Sequence, residues 1–160
     1  MRVLLSRRSF AALGLTCAIL ATLDRSWAAG DEVNVDPAGV ALHGYDPVAY
    51  FKLGQPTPGD PAVSARHGGA TYQFASTAHR DAFLAAPERY VPQYGGYCAL
   101  GTALGRKVDG DPTLWRIVEG KLYVNINAQA QEVWLRDIAG NIAKADAVWP
   151  TIKATPAGAL

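Results

Sequence analysis

The chain has 160 residues, 49% of them hydrophobic and 18% charged, with a formal net charge of +1. That length gives one domain a real core without disulfides, and two cysteines allow at most one such link. A near-neutral balance offers no basic surface for nucleic acid or an anionic membrane.

Residues Met1 to Ala28 divide into a basic start (Arg2, Arg7, Arg8), an uncharged apolar stretch from Phe10 to Leu23, and the small-residue site Ser26-Trp27-Ala28. This is the pattern of a cleavable secretory signal over 1–28, with an apolar part too short for a spanning helix. Ser6-Arg7-Arg8-Ser9-Phe10 resembles the twin-arginine form, with a plain Sec signal as the alternative. Cys17 follows Gly14-Leu15-Thr16, a poor acylation site, so no lipid anchor is expected. Cleavage leaves 11 basic and 13 acidic residues, a formal charge of −2, in a soluble periplasmic protein without a transmembrane segment. It also leaves Cys98 as the only thiol.

Residues 29–150 read as one domain, followed by a loose tail over 151–160, with no internal repeat visible. Asp46-Pro47 opens a short helix over Val48–Lys52, ended by Gly54. The proline-rich segment 55–61 reads as loop. Gly68-Gly69 between Val63–His67 and Ala70–Phe74 predicts a β-hairpin with Tyr72 and Phe74 on one face. Ser76 caps a helix over Thr77–Ala86, Pro87 starts a further turn to Tyr90, and Gly95-Gly96 breaks the chain before a short helix over Cys98–Leu104. A second hairpin runs from Trp115–Val118 through Glu119-Gly120 to Lys121–Asn125, with Trp115 and Ile117 facing inward. Asn127 caps the next helix, and a last one covers Ile142–Val148. The expected class is therefore α+β, a small single domain of antiparallel hairpins and short helices.

The groups able to carry chemistry in the mature chain are few: Cys98, His43, His67 and His79. No methionine survives cleavage, which excludes a blue-copper site with an axial thioether. One cysteine excludes a four-thiolate zinc site and covalent haem attachment, and neither a phosphate-binding glycine loop nor a Gly-x-Ser-x-Gly elbow is present. A lone thiol in an exported protein is buried and inert, a metal ligand, or reactive. A thiolate from Cys98 and an imidazole from His79 would suit copper or zinc, with His43 or His67 as a third ligand and a tyrosine as a further one. A Cys-His nucleophilic pair is a third reading, and an enzyme is the less favoured outcome. His67 adjoins the hairpin turn and reads as a solvated residue, while His43 beside Gly44 also suits a structural hydrogen bond.

The run Gly44-Tyr45-Asp46-Pro47-Val48-Ala49-Tyr50-Phe51, then Phe74-Ala75-Ser76, Phe83, Pro87-Glu88-Arg89-Tyr90, Tyr94-Gly95-Gly96-Tyr97-Cys98, Asp111-Pro112 and Ala145-Asp146-Ala147-Val148-Trp149-Pro150, resembles the YHS domain, more closely its exported branch. The resemblance implies a core similar to the TRASH and treble-clef-related metal-binding modules. It also implies departures: Ala49 and Ala75 stand where copper-pump relatives carry cysteines, and His79 stands at the third such position. The expected function is binding, storage or delivery of a transition metal, copper foremost, through Cys98, His79 and His43, with a periplasmic protein as a possible partner. The alternative is a non-metal module binding a small molecule or protein, with Cys98 buried as a structural residue.

Overall fold

The computed structural model describes residues 32–160, so the expected signal segment and Cys17 lie outside the described residues. The chain builds two units of the same design, each led by a tight helical turn. The first contains the turn Leu42–Gly44, α1 (Ala49–Lys52), β1 (Asp60–His67), β2 (Ala70–Phe74) and α2 (Thr77–Ala85), followed by α3 (Pro87–Tyr90). The second contains the turn Gln93–Gly96, α4 (Ala99–Ala103), β3 (Asp111–Val118), β4 (Lys121–Asn125) and α5 (Ala128–Arg136), followed by α6 (Ile138–Ile152). A last turn covers Ala157–Ala159. Each hairpin is a separate two-stranded antiparallel sheet. The α+β class with two antiparallel hairpins and short helices is as expected.

The repetition corrects the reading that the chain has no internal repeat. Equivalent residues lie 51 or 52 positions apart, and the match extends to detail. Asp60 pairs Phe74 and Ser64 pairs Gln73, while Asp111 pairs Asn125 and Trp115 pairs Val124, so both hairpins carry the same bulge. Its cause is local: Pro61 and Pro112 have no N–H for the ladder, and the preceding aspartates fold back onto the N–H of Ala62 (2.9 Å) and Thr113 (2.8 Å). This is also why β1 and β3 begin earlier than the expected Val63 and Trp115. Ser76 accepts from His79 N at 3.2 Å and Asn127 from Ala130 N at 2.8 Å, equivalent caps on two nine-residue helices. The residues that end those helices, Ala86 and Asp137, share one unusual backbone conformation (φ −155°, ψ 67° and φ −148°, ψ 72°).

Each unit has its own core. Phe83 is fully buried among Val48, Ala70, Tyr72, Phe74 and Tyr90, and its counterpart Trp134 is fully buried with Tyr94, Ala99, Tyr123 and Ala145. Sealing an aromatic ring of this kind contributes about 2–3 kcal/mol of transfer free energy. A third cluster, Leu42, Tyr50, Leu122 and Val124 with Trp115 and Ile117, draws on both units and holds them together. Tyr50 reinforces that seam by donating its hydroxyl to the carbonyl of Pro112 at 2.8 Å.

The last helix differs most from expectation. It starts at Ile138, where Asp137 caps it by accepting from Gly140 N at 2.9 Å, and runs through Pro150 to Ile152. The tail is tied down by Lys107, only 3% exposed, whose ammonium donates to the carbonyls of Lys153 (2.8 Å) and Thr155 (2.7 Å) and lies 4.9 Å from the Tyr97 ring centre. A cation held just past the C-terminal end of a helix complements its dipole, which the Trp149-Pro150 stop signal did not reveal.

Candidate functional site

The duplication explains where Cys98 and His79 go. Asp46 and Cys98 are equivalent: each follows a Gly-Tyr pair, and their N–H groups donate to the equivalent carbonyls of Thr57 and Val108, both at 2.9 Å. In the first unit Asp46 is fully buried. Its Oδ1 accepts from Val48 N (2.8 Å) and Ala49 N (3.3 Å), and its Oδ2 from Ala75 N (2.9 Å) and His79 Nδ1 (2.6 Å). A carboxylate is an acceptor only, so the shared proton belongs to Nδ1 and Nε2 is the outward atom. His79 thus faces the counterpart of Cys98, and the place of His79 in the second unit is taken by Ala130.

Cys98 is 1% exposed and caps α4: its sulfur accepts from Gly101 N at 3.4 Å and lies 3.6 Å from Asn125 Oδ1, which also accepts from Leu100 N. No imidazole is among its partners. The thiol and imidazole expected at one centre therefore lie in different units: Cys98 holds the place of Asp46, which is the partner of His79, and each has its own partners. Among the described residues no group of three or more His, Cys, Asp and Glu side chains could hold a metal ion. No described helix is long and apolar enough to cross a membrane.

His43 lies elsewhere, in a polar cleft of about 330 Å³ lined with Asp109, Gly110, Asp111, Pro112 and Ile126. Its Nε2 is 2.9 Å from Asp109 Oδ1, which also accepts from Asn34 Nδ2 at 2.5 Å. Burial alone would raise the Asp109 carboxyl. The hydrogen bonds from Asn34 and His43, with the histidine's charge and the Gly110 N–H, outweigh burial and hold the carboxyl below its ordinary value. Both His43 (φ 50°) and Leu42 (φ 51°) sit in the left-handed region, at a cost of about 1–2 kcal/mol each. The counterpart of His43 is Gly95 (φ 63°), the residue that this conformation favours. His43 thus places an imidazole in the cleft at a strained position.

Asn34, Asp109, Asp111 and Asn125 were not among the expected site residues. The run Asp109-Gly110-Asp111-Pro112, two carboxylates in a turn before a hairpin, was the available signal. His67 hydrogen-bonds Glu88 Oε1 at 3.1 Å beside the hairpin turn. Comparison with protein-family models, curated proteins and solved structures finds no match to this chain.

Proposed function

We propose that this is an exported YHS-type binding module that takes a small polar ligand in the His43–Asp109 cleft and uses Cys98 as a structural cap. The sequence resemblance and the hairpin-based α+β architecture support the YHS-type reading, and the signal pattern of the first residues supports export to the periplasm. One observation carries the functional reading: the thiol is sealed at 1% exposure, whereas His43 and Asp109 are 45% and 57% exposed on an open cleft. The carboxylates of Asp109 and Asp111 and the imidazole of His43 favour a ligand rich in N–H or O–H donors, with Pro112 and Ile126 as an apolar wall. This module binds; its residues give no nucleophile–base pair at the thiol. Screening small amines and polyols by chemical-shift perturbation tests the reading. Saturable shifts at His43, Asp109 and Ile126 that vanish in Asp109→Asn and persist in Cys98→Ser are expected, and shifts that depend on Cys98 instead would overturn it.

A metal ion is the second reading, favoured by one feature. His79 is oriented by a buried carboxylate through Nδ1, the way histidine ligands of metals are held. Copper or zinc would then meet Nε2, with the remaining ligands supplied by water or another molecule. Titration with Cu(I) against a competing chelator decides it: loss of affinity in His79→Ala supports the metal, and equal retention by the wild type, His79→Ala, His43→Ala and Cys98→Ser rules it out.

A further inference from the structure

The duplication also produces two equivalent clefts. Where the first unit meets the end of α6, a space of about 210 Å³ is lined by His67, Gly68, Tyr72, Val91, Pro92 and Gly95, together with Val33, Trp149 and Lys153. In the second a space of about 380 Å³ is lined by the residues 51 positions on: Val118, Glu119, Tyr123, Ile142, Ala143 and Asp146. Tyr72 and Tyr123 are each 2% exposed, and neither hydroxyl has a hydrogen-bond partner among the described residues. Trp134 Nε1 is the one fully sealed side-chain polar atom left without a partner among those residues, so neither hydroxyl is fully sealed, and both tyrosines line their clefts. Burial, with Asp146 and Glu119 nearby, raises the Tyr123 pKa, so its hydroxyl is a donor over the physiological range.

What separates the two clefts is a cover. In the first unit the chain supplies it: Val33 packs on the core cluster of Phe83, and Asn34 N donates to Gly95 O at 2.9 Å. In the second unit Tyr123, Val118 and Ile142 line the larger space, and Ala143 at its edge is exposed. We propose that the cleft between the β3–β4 turn and α6 is a second binding site, for an uncharged small amide with a branched apolar group, whose carbonyl accepts from Tyr123 and whose apolar group occupies the place that Val33 takes in the first unit. The charged lining groups, Glu119 and Asp146 against the single cation Lys121, leave a net negative charge that disfavours an anion, and the apolar lining of Val118, Ile138 and Ile142 disfavours a strongly hydrated cation. The site is separate from the His43 cleft.

N-acetyl-L-valine methylamide reproduces the capped Val33 residue and is the probe; N-acetylglycine methylamide is its control. In the 15N-labelled full chain the valine amide is expected to give saturable shifts over 118–123 and 138–146, with the glycine amide at least about fivefold weaker. Tyr123→Phe, which loses one hydrogen bond, should weaken binding about fivefold. Ala143→Leu, which fills the cleft from an exposed helix position, should abolish it while leaving the remaining spectrum in place. Equal affinity for the two amides, undiminished binding by Tyr123→Phe, or no saturable shift at these residues would each overturn the proposal. An outcome in which this site binds and the His43 cleft does not, or the reverse, separates the two readings.

Discussion

Asp46 and His43 show how differently a polar side chain can serve a fold. Asp46 is sealed and its carboxylate takes N–H groups from Val48, Ala49 and Ala75 besides the imidazole of His79. Asp46→Ala strands those donors in the core, so a loss of about 3 kcal/mol in a urea titration is expected. A loss under about 1 kcal/mol would show that water replaces the carboxylate readily. His43 is the opposite case, since its backbone conformation is one that glycine adopts freely. His43→Gly should therefore keep or raise stability, by up to about 1 kcal/mol, while removing ligand binding at the cleft. A variant that unfolds, or that binds as well as the wild type, contradicts this reading. The sequence pointed to Cys98, His79 and His43 by residue type, and type alone does not reveal a partner. His79's partner Asp46 is 33 positions back along the chain, and Asn125 beside Cys98 is 27 ahead, so neither of these pairings was visible in local spacing, although the Gly101 N–H that Cys98 caps is only three positions on.

Turn residues, caps and alternation marked the turn of each hairpin, the strands β2 and β4, and the helices Thr77–Ala85 and Ala128–Arg136 to within a residue or two. What the sequence concealed was the start of β1 and β3, because Asp-Pro reads as loop until its aspartate is seen closing a bulge. The end of α6 was concealed as well, because Lys107, which caps it, lies far away in the chain. The two hairpin turns give a direct test of turn chemistry. Gly68-Gly69 and Glu119-Gly120 both require two left-handed residues, and Glu119 (φ 50°) is the poor fit. Glu119→Asn should stabilise the protein by about 0.5 kcal/mol, read as a raised melting temperature; a drop would mean that Glu119 makes a contribution beyond the turn.

Over the whole molecule, the tandem design accounts for the separation of the residues once expected to meet. Few side chains preserve the repeat: Gly44-Tyr45 and Gly96-Tyr97, Gly59-Asp60-Pro61 and Gly110-Asp111-Pro112, Tyr72 and Tyr123. Phe83 has become Trp134, His79 has become Ala130 and Asp46 has become Cys98, which is why the duplication is legible in hydrogen bonds and register before it is legible in letters. The glycines show the same logic. A side chain on Gly59 would meet Gln73 at 2.5 Å, and one on Gly110 would meet the equivalent Val124 at 2.5 Å.

A long-range polar link adds a pH dependence to this scaffold. Asp109 is bonded by Asn34, from 75 positions back, and by His43. Its folded pKa lies below the ordinary 3.8, so its stabilisation is complete above that value and is lost as pH falls through the lower folded value. Asp109→Asn should be less stable than the wild type at neutral pH, with the difference shrinking in acid. A difference that stays constant down to full acid unfolding would mean that the Asp109 charge does not stabilise the fold.

Cys98 is the capping counterpart of Asp46 inside a duplicated scaffold, and on the function proposed above its sealed thiol is structural. In a Cys17→Ala chain Cys98 is the sole thiol, and its reaction with 5,5′-dithiobis(2-nitrobenzoic acid) reads its burial directly. No stoichiometric reaction of the native protein is expected, and full reaction once urea unfolds it. Rapid, complete labelling of the native protein, at the rate seen in urea, would contradict that structural role.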